Sequence, residues 1–193
     1  MTPERQHKIA QVLKRRQPDL SLIFENIEDP HNISAVIRTC DAVGVQDIYI
    51  ANTLTGAPVE LGWKSSRSAS TWVTIHQFDN IAACLEEVRT KYENIFATHL
   101  GEKAYSLYEL DLTASVALVF GNERKGVSPE MLGLCDGNFI VPQVGMIHSL
   151  NVSVACAVSL YEAYRQRSAK GYYDQQRLPQ DRFDELTVKW GKK

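Results

Sequence analysis

Three stretches hold residues whose types and spacing could do chemistry. The first is NISAVIRTCDAVG at 32–44, with Asn32 and Arg38 in one helical pattern. A guanidinium fork fits phosphate oxygens two at a time. Arg38 lies on the face opposite the apolar one. There it reads as a solvated or salt-bridged side chain, or as a grip on a substrate phosphate. The second stretch, GNERKG at 121–126, follows the apolar run SVALVF. A glycine-bracketed turn after a buried strand could cradle a phosphate or a nucleoside, or simply be a strand-to-helix turn. It is not the dinucleotide fingerprint, because Glu123 stands at the middle glycine position, where a carboxylate would repel a pyrophosphate. It is not a P-loop, since no G-K-[ST] follows. The third stretch is FIVPQVGMIHSLNVSVACAVSL at 139–160. A short apolar run meets a proline, a glycine loop follows, and Ser149, Leu150 and Asn151 open a helix of small residues. Strand ends and helix starts of this kind show backbone groups to a ligand. Ser149 and Asn151 are equally good helix caps.

Other chemistry finds less support. The histidines at 7, 31, 76, 99 and 148 and the cysteines at 40, 84, 135 and 156 show no metal-ligand spacing and no C-x-x-C. The expectation is no metal and reduced, mostly buried thiols. No apolar run reaches the roughly 18 residues of a membrane span. The N-terminus has no apolar core of the signal-peptide kind. A cytoplasmic protein without a membrane partner is expected.

These residues need a frame. LSLIFENI at 20–27, DIYIA at 47–51, 72–78, 95–100, 115–120 and 139–141 read as strands. Helical patterns occupy 3–16, 31–43, 81–92 and 150–164, with a further helix near 179–190 and a short one after Ser128. Residues 104–110 read as irregular or a short turn. Alternation of strand and helix predicts an α/β fold, a mainly parallel sheet flanked by helices, with terminal helices added. Ligands in such sheets bind at the carboxyl ends of the strands. Helix 31–43 buries Ile33, Val36, Ile37, Cys40 and Val43. The polar loop 52–71 holds Lys64 and Arg67 and suits either phosphate contact or mere flexibility.

Net charge is only −2, but its distribution is uneven. Residues 1–20 carry five Lys/Arg against two acids, residues 21–162 eight against 17, and residues 163–193 eight against four. An acidic body between basic ends suggests a polyanion partner, although terminal helices are often solvated basic faces.

Taken together, the three stretches resemble, in order, the three motifs of the SpoU branch of the SPOUT RNA methyltransferases, over about residues 20–165. The flanks are similar to those of members that methylate the ribose 2′-hydroxyl of the tRNA D-loop guanosine at position eighteen. One departure is His148, where that pattern leads us to expect glutamine. The resemblance implies a methyltransferase domain at 20–165 between basic extensions at 1–19 and 166–193, with a C-terminal trefoil knot. It implies S-adenosylmethionine as cofactor, held by backbone near Thr98, Gly121, Val141, Ser149 and Leu150, with no metal. It implies catalytic roles for Arg38, Asn32, Glu123, Ser149 and Asn151. It implies a homodimer packed through the knot helices, where Ala155, Ala157 and Ser159 are small enough for close approach. The candidate tRNA contacts are Arg5, Lys8, Lys14, Arg15, Arg16, Arg165, Arg167 and Lys170. The alternatives are the same chemistry on ribosomal RNA or another tRNA nucleotide, and an RNA-binding module without catalysis.

Overall fold

The computed structural model describes residues 1–59, 69–101, 103–147 and 149–193. Lys64, Arg67 and His148, singled out above, lie outside the described residues. Seven strands occur among the described residues: β1 (Leu20–Glu25), β2 (Asp47–Ala51), β3 (Thr74–Phe78), β4 (Asn94–Thr98), β5 (Tyr105–Ser106), β6 (Val116–Phe120) and β7 (Gly137–Ile140). They form one sheet in the order β3-β2-β1-β6-β4-β7-β5. Every strand pairing is parallel. All carboxyl ends therefore lie on one side of the molecule, and those of β1, β6, β4 and β7 are consecutive neighbours.

Six α-helices accompany the sheet among the described residues: α1 (Pro3–Lys14), α2 (Pro30–Val43), α3 (Ile81–Arg89), α4 (Pro129–Leu134), α5 (Val152–Ala169) and α6 (Gln180–Gly191). The side-chain period of two sorts each strand between two faces. Leu20, Leu22 and Phe24 of β1 join Ile33 and Ile37 of α2 and Cys156 and Leu160 of α5 in one core. Ile23 points the other way, to Leu85 and Val88 of α3 and Met131 of α4. The terminal helices share a third, smaller core of Ile9, Leu13, Leu186 and Trp190. Burial raises the thiols of Cys40, Cys84, Cys135 and Cys156, so none is poised as a thiolate.

The strand expected at 72–78 begins only at Thr74. Trp72 instead packs against the terminal-helix core. Residues 104–110 are not wholly irregular: β5 adds a two-residue edge to β7. The last core helix begins at Val152 and runs unbroken to Ala169. The boundary expected near residue 165 thus falls inside a helix.

Candidate active site

Parallel strands bring the ends of β1 and β6 side by side, and with them the first two chemical stretches. β1 is followed directly by Asn26, whose φ of 54° is left-handed, a conformation asparagine tolerates better than most residues. Its Oδ1 accepts from the Thr53 and Leu54 N–H groups, at 2.8 and 3.1 Å, and ties β1 to the loop after β2. Asp29 then caps α2 by accepting from the His31 N–H, and Pro30 occupies the first turn without needing a donor.

Glu123 reaches across from the loop after β6. Its Oε1 accepts from Asn32 Nδ2 at 2.9 Å, and its Oε2 accepts from the Glu28 N–H at 3.1 Å. The Asp29 N–H adds a longer contact at 3.4 Å. A carboxylate at a helix N-terminus meets both orphan donors and the positive end of the dipole. Asn32 passes the connection on, because its Oδ1 accepts from Asn151 Nδ2 at 3.2 Å. Asn151 is in turn the cap of α5, accepting from the Ser153 N–H at 2.9 Å. Glu123, Asn32 and Asn151 thus form one hydrogen-bonded line joining the three chemical stretches.

The loop carrying Glu123 is held by its neighbour. Asn122 Oδ1 accepts from the Arg124 and Lys125 N–H groups, and its Nδ2 donates to the Asn26 carbonyl at 2.9 Å. Gly121 is required by space. A Cβ there would lie 2.3 Å from main-chain atoms of Gly126 and Val127. Sequence reasoning missed Asn26 and Asn122. The available signal was an asparagine directly after each of two buried strand ends, where such a side chain can bond nearby backbone.

Burial opposes the charge on Glu123, but hydrogen bonds from Asn32, Glu28 and Asp29 outweigh it and hold the carboxyl below its ordinary value of 4.5. A depressed carboxylate contributes stability above its unfolded pKa and loses it as pH falls through the folded value. Amide exchange at Glu28 and Asp29 is therefore expected to stay slow at neutral pH and to speed up, beyond the intrinsic pH trend, only below about pH 4.5. In Glu123→Gln that acid-linked acceleration is expected to vanish, which exchange measured by mass spectrometry would detect.

Arg38 stands apart from this line. It lies on α2, about 9 Å along the axis from Asn32 at 1.5 Å per residue. It is exposed, and its side chain makes no hydrogen bond or ion pair among the described residues. Ser149 is likewise exposed and unbonded among the described residues. Thr98, Gly121 and Val141 sit at or just past the ends of β4, β6 and β7, adjacent strands. Thr98 donates its hydroxyl to the Val119 carbonyl at 3.1 Å, which leaves its main chain as the part able to meet a ligand. Residues 142–147 make no backbone–backbone hydrogen bond among the described residues, although strand ends normally satisfy these groups. Val144 and Met146 are 107% and 95% exposed. Such a loop can offer a ligand both main-chain hydrogen-bonding groups and apolar side chains.

Two of the expected RNA contacts face inward. Arg16 is fully buried. It pairs with Asp41 at 2.6 Å, donates to the Val45 and Trp72 carbonyls, and lies over the Trp190 ring. Arg167 is also fully buried, bonded to Asp19, Gln17 and the Leu112 and Ala114 carbonyls. Both tie the terminal segments to the sheet and are withdrawn from the RNA-contact set, since neither can reach a phosphate. Arg5, Lys8, Lys14, Arg15, Arg165 and Lys170 are exposed. Ser159, expected at a dimer contact, is buried and donates to the Ala155 carbonyl.

Comparison with known proteins agrees with this arrangement. A family model described as "SpoU rRNA Methylase family" matches residues 19–161. The tRNA (guanosine(18)-2′-O)-methyltransferase of Thermus thermophilus is 40% identical over 192 residues, covering 100% of this chain and 98% of its own. The crystal structure of the Aquifex aeolicus TrmH/SpoU tRNA modifying enzyme superposes with a TM-score of 0.90 at 37% identity, over 98% of this chain and 95% of that one. The SpoU methyltransferase AviRb of Streptomyces viridochromogenes, solved with the cofactor AdoMet, has a TM-score of 0.69 at 25% identity, over 81% of this chain and 62% of that one. A matched span that holds all three chemical stretches, and a relative aligned from end to end, lead to one conclusion: this chain belongs to the SpoU methylase family.

Proposed function

We infer that the protein transfers a methyl group from S-adenosylmethionine to the ribose 2′-hydroxyl of a tRNA guanosine, at position 18 of the D-loop. The observation that carries this is the Glu123–Asn32–Asn151 line, which locks the cofactor loop to the helix bearing an uncommitted Arg38. The full-length match to a relative named for guanosine 18 supplies the substrate.

The sulfonium cofactor supplies an activated methyl group. The protein's task is to make the hydroxyl nucleophilic and to align it. Main-chain groups near Thr98, Gly121, Val141, Ser149 and Leu150 hold the cofactor. Arg38 binds the adjoining phosphate through its fork and orients the ribose. A guanidinium holds its proton throughout the accessible pH range, so its first role is electrostatic. Asn32, Glu123 and Asn151 hold the loops at the spacing this needs.

The working unit in this reading is a homodimer. Val154 and Tyr161 of α5 are 47% and 54% exposed, two turns apart on one stripe of the helix that follows the loop. A partner covering that stripe would also close the cofactor loop and bring a second set of basic ends to the RNA. Knotting of the C-terminal segment and a cytoplasmic location complete the reading. No helix among the described residues is long and apolar enough to cross a membrane.

A tRNA transcript carrying a single 2′-deoxyguanosine at position 18 tests the reading. It is expected to bind with little change in affinity and to accept no methyl group. Labelling of that transcript at the normal rate would overturn the assignment.

A further inference from the structure

β1 closes on a carboxyl that the chemistry described so far does not use. Glu25 is 1% exposed. The side-chain period of two puts it on the face of Ile23, whose core includes Val127 and Met131. Its Oε2 accepts from the Ser128 N–H at 2.8 Å, and its Oε1 makes no hydrogen bond among the described residues. Burying a carboxyl with one oxygen unpaired costs stability. A methionine of similar length would fill the same space without that cost. A buried polar group kept half-satisfied beside a site points to a role in position or chemistry.

Burial closes Glu25 to substrate, so its role is position, and what it holds is the loop bearing Glu123. That loop leaves β6 at Gly121 and returns at Ser128, the cap of α4. Glu25 and its neighbour Asn26 grip both ends. The Asn26 carbonyl accepts from Asn122 Nδ2 at 2.9 Å, and Glu25 takes the Ser128 N–H. Between these grips the Gly126 N–H donates to the Asn122 carbonyl at 2.8 Å and closes the turn. Glu123 stands inside the closed turn. Its bonds of 2.9 Å to Asn32 and 3.1 Å to the Glu28 N–H leave little room for the loop to drift.

We propose that Glu25 is a positioning residue for methyl transfer: its carboxyl fixes the α4 end of the loop and thereby sets Glu123 against Asn32 and the start of α2. The effect on turnover rests on the methyl-transfer reading above; the effect on the loop does not.

Three variants of the full chain separate geometry from charge. Glu25→Gln keeps the length and the acceptor oxygen but not the charge. Glu25→Asp keeps the charge but falls one methylene short of the Ser128 N–H. Glu25→Met keeps the length alone. Amide exchange read by mass spectrometry is expected to quicken at Glu28 and Asp29 at least about tenfold at neutral pH in Glu25→Met, because Glu123 no longer holds those N–H groups. Steady-state kinetics should show kcat lowered roughly tenfold to a hundredfold, with KM for S-adenosylmethionine and for tRNA within a few-fold. Glu25→Gln is expected to recover most of both signals, and Glu25→Asp neither. The melting temperature of Glu25→Met should stay within about 4 °C, since removing a half-paired carboxyl offsets the stranded N–H.

If Glu25→Met does not fold, the contrast between Gln and Asp carries the test. Equal behaviour of those two variants would overturn the positioning role. So would lost turnover in Glu25→Met with Glu28 and Asp29 protected as in the unaltered protein. The expected exchange changes in a protein that methylates no tRNA would overturn the tRNA reading, and the catalytic half of the proposal with it, while leaving the hold on the loop intact.

Discussion

Arg38→Ala is expected to lower methyl transfer by at least about a hundredfold, and by up to about ten-thousandfold. S-adenosylmethionine affinity should stay within a few-fold, and the melting temperature should barely move. The reasoning is structural. Arg38 is exposed and bonded to nothing else among the described residues, so folding gains nothing from its guanidinium. A charge that the fold does not use is available to the substrate. The loss should fall on kcat more than on the binding of either substrate, because orientation matters most in the transition state. Arg38→Lys keeps the charge but not the planar fork, and should recover only a small part. Single-turnover kinetics with saturating cofactor would measure this. Normal turnover in Arg38→Ala would remove Arg38 from the mechanism.

Arg167→Ala should do the reverse, lowering stability rather than chemistry. The buried guanidinium donates to the Leu112 carbonyl at 2.8 Å, the Ala114 carbonyl at 2.8 Å and Asp19 Oδ1 at 2.6 Å. Arg177 shares Asp19, and both cations lie by the ring of Tyr172. Truncation would strand the carbonyls and half-free a carboxylate, at a cost of about 3–5 kcal/mol. For a chain of this size that is a fall in melting temperature of roughly ten degrees. Arg165, two residues earlier, pairs with Glu162 but its side chain is 69% exposed. Arg165→Ala should leave the melting temperature nearly unchanged while weakening tRNA binding and flattening its salt dependence. Calorimetry and a salt titration on the two variants would separate the roles. Equal stability losses would contradict the burial argument.

These arginines show where a sequence stops being readable. Arg16 and Arg167 look identical to their neighbours as letters in a basic run. Arg16 is turned inward where α1 and α6 meet Trp72, a residue that local pattern places in a strand, and Arg167 where α5 packs beside residues 17–19 and 112–114. The parallel sheet was legible, because apolar runs such as 115–120 alternate with helical patterns of period 3.6. Its strand order was not. The placement of β6 between β1 and β4 is what sets Glu123 against Asn32, residues 91 positions apart. The resemblance supplied the names of Asn32, Glu123 and Asn151, and the structure supplies the bonds that give them a common job. Arg38 and Ser149 gain no side-chain partner among the described residues, which leaves both side chains available to a ligand. The third stretch also gains a structural tie. Beside the cofactor and catalytic roles that the resemblance implies for it, it is tied through Asn151 and Asn32 to the helix bearing Arg38.

The most direct measurement is to incubate the protein with methyl-labelled S-adenosylmethionine and unmodified total tRNA, digest the product and map the label by mass spectrometry. The predicted result is a single 2′-O-methylguanosine at position 18 of the D-loop, lost with Arg38→Ala. Label on a base, on another nucleotide or only on ribosomal RNA added in parallel would contradict the account.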